Sequence, residues 1–72
     1  MTNIQSRMAR AGLGWSIAKL SDETRISSRT IITFEKGGIV SAETVEALRA
    51  ALVAAGATFL DKSGKVGVLV KP

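Results

Sequence analysis

The sequence predicts a mainly α-helical fold in which four short helices, two of them in a helix-turn-helix, precede a C-terminal β-hairpin. Hydroxyl residues precede short apolar stretches of helical spacing, and glycines follow most of them. The last sixteen residues instead contain two short β-prone segments around a turn. A chain of 72 residues is long enough for one core only. We therefore expect one domain, with helices in residues 1–56 and the hairpin in 57–72.

The first helix is expected near residues 3–11. Thr2 and Gln5 have the spacing of a capping box, in which each residue satisfies a backbone group of the other. Gly12 and Gly14 are expected to end the helix, because glycine tolerates a left-handed backbone. Three apolar residues recur at helical spacing within it: Ile4, Met8 and Ala11.

The second and third helices are expected near residues 17–24 and 28–36. Ser16 and Ser27 are suitable N-caps for them. Gly37 follows the third helix and is expected to end it. Two residues of the third helix are assigned to the core, and one residue before the second is expected to pack at its start: Ile31, Phe34 and Trp15.

The fourth helix is expected near residues 42–55, with Ser41 as its N-cap and Gly56 after its end. Its core-facing stripe is Val45, Leu48 and Leu52.

Two β-prone segments, Ala57–Leu60 and Val66–Val70, flank the turn sequence Asp61–Lys65 and predict the hairpin. The second strand is apolar on both faces, and a lone hairpin is marginally stable in water. One arrangement that would bury this surface is a two-fold dimer through the C-terminal strands. The expected dimer interface is Phe59, Leu60, Val66, Val68 and Leu69. The alternative is that the hairpin folds over the fourth helix of its own chain.

Composition excludes several classes of function. The chain has no cysteine and no histidine, so it lacks disulfides, thiolate or imidazole metal ligands and the nucleophiles that depend on them. Its six carboxylates are scattered and form no convincing acid–base pair. We therefore expect no enzyme activity, cofactor or metal. No apolar run approaches the roughly 20 residues that span a bilayer, and no signal-peptide pattern is present, so a cytoplasmic location is expected.

The basic charge lies mainly in the first half of the chain. Ten lysines and arginines against six acidic residues give a net charge of +4 and a pI near 10.2. Residues 1–36 contain six basic and three acidic residues, a net of +3, whereas residues 37–72 contain four and three, a net of +1. Such an excess suits a polyanionic partner.

Only about three residues separate the second and third helices, and so short a joint lets the third helix project into a DNA major groove about 12 Å wide. Arg29 is the best base reader on it, because its guanidinium matches the O6 and N7 acceptors of guanine. The hydroxyls of Ser28 and Thr33 are the other expected base contacts. Backbone contacts are expected from the helix starts behind Ser16 and Ser27 and from basic residues. These basic residues are Arg25 and Lys36, with Lys19 as a further candidate.

At Leu13–Ser16 and Ile26–Gly37 the sequence resembles the Cro/repressor-like (XRE) helix-turn-helix family of bacteria and phages. The resemblance covers nearly the whole chain and implies a lambda-repressor-like fold in a bacterial, phage or mobile-element setting. It also implies a charged pair between Arg10 and Glu35, with Arg10 near a DNA phosphate. The first position of the second helix, here Ile17, is implied to contact the DNA backbone.

The sequence is therefore interpreted as a double-stranded DNA-binding transcriptional regulator, a repressor in the simplest case. As a homodimer it would read an inverted repeat, and contact with RNA polymerase stays open. The alternative is a protein-interaction adaptor on the same scaffold, such as an antitoxin or anti-activator. Apolar surface candidates motivate the alternative: Ile17, Ile32, Ile39 and Val40.

Overall fold

A computed structural model describes residues 1–72 as four α-helices followed by a two-stranded antiparallel hairpin. The second helix has the predicted bounds, the first runs two residues further, and the third and fourth each end one residue earlier. The elements are α1 (Asn3–Leu13), α2 (Ile17–Thr24), α3 (Ser28–Glu35), α4 (Ala42–Ala54), β1 (Ala57–Lys62) and β2 (Lys65–Val70). No helix has the length and apolar character needed to cross a membrane.

Side-chain caps begin every helix, as the sequence predicts. The Thr2 hydroxyl accepts from the Gln5 N–H at 3.1 Å, and the Gln5 side-chain oxygen accepts from the Thr2 N–H at 2.9 Å. The serine N-caps of α2, α3 and α4 each accept from the backbone N–H three residues later: Ser16, Ser27 and Ser41. Each cap satisfies one of the N–H groups that a helix start leaves without a partner.

Gly14 ends α1 in the left-handed conformation, with φ of 71°, whereas Gly12 lies inside the helix. The expectation that Gly12 helps to end α1 is therefore wrong. A Cβ at Gly12 would lie 3.0 Å from both methyl carbons of Val70. Gly12 thus allows β2 to pack closely against α1.

The core forms where the helices meet beneath β1. Three of its residues come from α2 and α3 and two from α4, and Ala9 and Ala57 complete it. The cluster is Ala9, Leu20, Ile31, Phe34, Leu48, Leu52 and Ala57. The predicted core positions of α3 and two of the three predicted on α4 belong to it. Val45 and Trp15 are partly buried and pack against it.

The apolar stripe that predicted α1 is not the face that α1 buries. Ile4 and Met8 are exposed, whereas Gln5 and Ser6 are buried together with Ala9. These polar residues are buried because each has a hydrogen-bond partner in the interior. Gln5 finds its partner in the hairpin, and Ser6 finds its partner in α3. Periodicity of apolar residues cannot detect a face that is buried in this way.

The hairpin has a two-residue turn, shorter than the predicted turn segment. Ser63 and Gly64 both have positive φ, 56° and 74°, which is typical of the type I′ turn that matches the twist of the flanking strands. The strands therefore extend to the facing pair Lys62 and Lys65. Phe59 pairs with Val68 on the face that packs against the core.

The hairpin packs on its own chain, chiefly through β2 against α1, while β1 contacts α4 and α1. The Gln5 side-chain nitrogen donates to the carbonyls of Leu60 at 2.8 Å and Gly67 at 3.2 Å, which face each other across the hairpin. The expected alternative, in which the hairpin folds over the fourth helix, is only partly right. β1 does contact α4, but α1 is the main helix against which the hairpin packs. The buried side-chain amide of Gln5 thus holds both strands against α1.

Candidate nucleic-acid interface

Hydrogen bonds brace the three-residue joint between α2 and α3. Arg25 adopts the left-handed conformation, with φ of 61°, and its N–H donates to the carbonyl of Ser21 at 2.7 Å. The Ser21 hydroxyl in turn donates to the carbonyl of Ile26 at 2.6 Å, and the Ile26 N–H donates to the Thr24 hydroxyl at 3.2 Å. The joint therefore fixes where α3 begins relative to α2.

The outward face of α3 is polar and basic, apart from one isoleucine. Ile31 and Phe34 point into the core, and Thr30 is half-buried. The exposed residues of α3 and its C-cap are Ser28, Arg29, Ile32, Thr33 and Lys36. The three residues predicted to contact bases, Ser28, Arg29 and Thr33, are therefore all exposed.

No carboxylate offsets the charge of this face. Arg29, Arg25 and Lys36 have no acidic side chain within 4.0 Å, since the ion pairs of the chain involve other residues. The one carboxylate of α3, Glu35, is buried. The surface formed by the joint and α3 is thus electropositive, which favours an anionic partner.

Glu35 is held by α1. The Arg10 guanidinium donates to both carboxylate oxygens of Glu35, from Nε at 2.8 Å and from Nη2 at 2.6 Å. The Ser6 hydroxyl donates to the same carboxylate at 2.8 Å, and Arg10 Nη1 donates to the carbonyl of Trp15 at 3.1 Å. The hydrogen bond to Glu35 raises the pKa of Arg10 above its usual value, against the desolvation that lowers it. Arg10 therefore stays charged while it joins α1 to the end of α3.

Arg10 also retains donors for a second partner. Three of the five guanidinium N–H groups are engaged within the chain, and the side chain is partly exposed. The predicted phosphate role and the structural role are therefore compatible.

The starts of α2 and α3 offer backbone N–H groups. The Ser16 and Ser27 hydroxyls accept from Lys19 at 3.0 Å and Thr30 at 3.2 Å, and the remaining N–H groups of each first turn have no partner within the helix. The Ile17 side chain packs partly against the core. Its backbone N–H is one of those that have no partner within the helix.

Lys19 contributes less free charge than its position suggests. Its ammonium lies 2.8 Å from Glu23 and 5.5 Å from the centre of the Trp15 ring. The hydrogen bond to Glu23 raises the pKa of Lys19. Because this exposed pair is local to α2, it leaves the positive surface to the joint and α3.

Two backbone hydrogen bonds to α3 hold the start of the loop that follows this helix. Gly37 has φ of 92°, and the N–H groups of Gly37 and Gly38 donate to the carbonyls of Phe34 at 2.9 Å and Thr33 at 2.8 Å, the pattern of a Schellman motif. A Cβ at Gly38 would lie 2.8 Å from the Thr33 carbonyl oxygen. The loop then presents Ile39, a residue that is 98% exposed.

The residues of the predicted dimer interface lie on both faces of the hairpin. Phe59 and Val68 are partly buried against the core of their own chain. Leu60 and Leu69 lie on the opposite face and are 43% and 59% exposed, and Val66 is half-buried. The apolar surface that the hairpin leaves exposed therefore centres on Leu60 and Leu69.

Two residues with clear structural roles are not apparent from sequence patterns. The capping box signals that Gln5 contacts Thr2, but nothing in the sequence indicates that its amide nitrogen reaches the hairpin. Ser6 has no signal at all, since its acceptor Glu35 lies 29 residues away.

Comparison with protein-family models and with curated proteins gives no match to this chain.

Proposed function

We propose that this chain is a helix-turn-helix protein that binds double-stranded DNA with α3 in the major groove. The observation that carries the proposal is the outward face of α3, where Arg29 stands exposed between Ser28 and Thr33 with no carboxylate nearby. A guanidinium among hydroxyls is the side-chain set that pairs with the edges of bases.

More particularly, we propose a transcriptional regulator that occupies an operator as a homodimer and represses by steric exclusion. A two-fold dimer would read an inverted repeat with half-site centres about 10 bp apart, or a multiple of that spacing. The exposed Leu60 and Leu69 support the dimer, because apolar strand surfaces of this kind favour pairing with another copy.

The backbone of the DNA would be held from both sides of α3. Arg25 in the joint and Lys36 at the C-cap supply unpaired charge, and Arg10 has spare donors. The N–H groups at the starts of α2 and α3, behind Ser16 and Ser27, would donate to phosphate oxygens as helix N-termini do. Contacts of this kind position the protein, while Arg29 and its neighbours specify the sequence.

The testing experiment is selection of bound sequences from a random duplex pool at near-physiological salt, followed by titration of the enriched site. Arg29→Ala is expected to cost about 1–3 kcal/mol of binding free energy and to relax the preference at one base pair. Arg49→Ala is the matched control, because it removes the same charge from an exposed position of α4. Failure to enrich any motif, or equal losses for both variants, would contradict the proposal.

A second candidate function rests on Ile39. An apolar residue so fully exposed on a loop offers a contact to a protein partner, which motivates an adaptor such as an antitoxin or anti-activator. Ile39→Asp separates the candidates. An adaptor should lose its function while Arg29→Ala leaves it intact, whereas a DNA-binding regulator should show the reverse.

A further inference from the structure

Ile32 is the one apolar side chain on the outward face of α3. It is 40% exposed and belongs neither to the core nor to the residues packed against it. We infer that Ile32 contacts the 5-methyl group of a thymine, close to the guanine that Arg29 would read. This inference rests on the proposed function, and it assigns a second specificity-determining residue to the same surface.

The chemistry follows from what the major groove displays. Thymine presents a methyl group there, and apolar side chains are the usual partners of that group. Removing one methyl from water in a fitted contact corresponds to about fourfold in affinity. Ile32 therefore supplies specificity for thymine without any hydrogen bond.

The charges around Ile32 favour DNA over a protein as the partner. Arg29 precedes it by three residues and Lys36 follows it by four, and neither has a carboxylate partner. The carboxylate of α3, on Glu35, is turned away into its pair with Arg10. An apolar group between two free cations is complementary to a polyanion that carries methyl groups in its groove.

Neighbouring side chains are less suited to the same contact. The Thr33 methyl carbon would lie 2.7 Å from a Cβ placed at Gly38, so this methyl faces the loop of its own chain. Ile39 lies outside α3, beyond the two glycines that end the helix. Only Ile32 presents an aliphatic group from the helix that would enter the groove.

The helix geometry also limits where the thymine lies. Arg29 and Ile32 are three residues apart, which is about 4.5 Å along a helix axis. Base pairs are stacked about 3.4 Å apart. The thymine is therefore expected one or two base pairs from the guanine, on either strand.

The test uses the selected operator and a DNA analogue. Each thymine within two base pairs of the Arg29-dependent guanine is replaced, one at a time, by deoxyuridine, which keeps the hydrogen-bonding edge and lacks the methyl. The wild-type chain should bind one substituted operator about fourfold more weakly. Ile32→Ala should bind the thymine and deoxyuridine operators equally, and Ile32→Val should stay sensitive in part.

Met8→Ala is the control, because Met8 is equally exposed but lies on α1. It should keep the full deoxyuridine effect. The DNA substitution leaves the protein unchanged, so a folding defect cannot produce the wild-type result.

The outcomes separate the two claims. Operator binding without a deoxyuridine effect, or with an equal effect on wild type and Ile32→Ala, overturns the role of Ile32 and leaves the proposed function standing. Absence of any thymine near the guanine in the selected sites does the same. Failure to bind any duplex overturns the proposed function and the role of Ile32 with it.

Discussion

The Arg10 guanidinium and the Glu35 carboxylate form a bidentate ion pair, with nitrogen–oxygen distances of 2.6 and 2.8 Å. The pair spans 25 residues of sequence and joins α1 to the last residue of α3. Glu35 is nearly fully buried, and its carboxylate is contacted by Arg10 and by the Ser6 hydroxyl. The orientation of α3, and so of its exposed face, depends on this contact.

Arg10→Ala should lower the free energy of unfolding by about 3 kcal/mol, because it leaves a buried carboxylate without its cation. Urea unfolding followed by circular dichroism measures the change. Arg7→Ala is the matched control, since Arg7 is exposed on the same helix and has no ion-pair partner. Equal losses for the two variants would show that the pair adds nothing to stability.

The contribution of Arg10 to the free energy of unfolding should not depend on pH near neutrality. The pKa of Arg10 is raised on folding, so its contribution is complete below the unfolded pKa and is lost only as pH rises through the folded one. Both values lie far above the physiological range. The contribution of Arg10 to the stability of the wild type should therefore stay constant between about pH 7 and 9, and a steep fall in the wild-type free energy of unfolding within that window would contradict the assignment.

Gln5 should contribute more to stability through the hairpin than through the capping box. Gln5→Glu keeps an oxygen for the Thr2 N–H but replaces the donor to Leu60 and Gly67 by a carboxylate oxygen. The loss should be about 2–3 kcal/mol, because two carbonyls lose their donor and a charge is buried. Thr2→Ala removes the Thr2 cap only and should cost about 1 kcal/mol in the same urea unfolding experiment. A smaller loss for Gln5→Glu than for Thr2→Ala would contradict the anchoring role.

Arg25→Gly should stabilise the fold by about 1 kcal/mol, because Arg25 holds a left-handed backbone that disfavours a side chain. Thermal unfolding detects this as a rise in Tm of about 4–8 °C. Lys36→Gly is the control at an ordinary negative φ and should destabilise instead. The same Arg25→Gly variant should bind DNA less tightly, so its stability and affinity change in opposite directions.

Gly12 and Val70 should be energetically coupled. Gly12→Ala brings a methyl group to 3.0 Å from the Val70 side chain, while alanine otherwise favours the helix. Gly12→Ala should therefore be more favourable in a Val70→Ala background, by about 1 kcal/mol or more. A double-mutant cycle of urea unfolding measures this coupling, and additive effects would show that β2 is not closely packed on α1.

Leu69→Lys should shift the proposed dimer towards monomer in a concentration series by sedimentation velocity. The lysine would place a charge in the exposed strand surface that Leu60 and Leu69 form. Val53→Lys is the control, because Val53 is similarly exposed on α4. A wild-type chain that stays monomeric into the high-micromolar range would contradict the dimer.

The starts of the helices and the place of the hairpin turn could be predicted because their determinants are local. Each helix begins at a hydroxyl cap three residues before its bonded N–H, and positive φ at Ser63 and Gly64 closes the hairpin. Such interactions join residues a few positions apart, so they can be read along the chain. The separation of α3 into a buried face around Ile31 and an exposed face around Arg29 is equally local, because helical periodicity sets it.

The sequence by itself therefore determined the number and order of the elements, their caps and the exposed residues of α3. Only the tertiary structure decided which face of α1 is buried and where the hairpin packs. Ser6 and Gln5 are buried in place of Ile4 and Met8 because their partners, Glu35 and the hairpin carbonyls, lie 29 or more residues away. A polar side chain is stable in the interior only when such a distant partner is in place, and no local pattern records that.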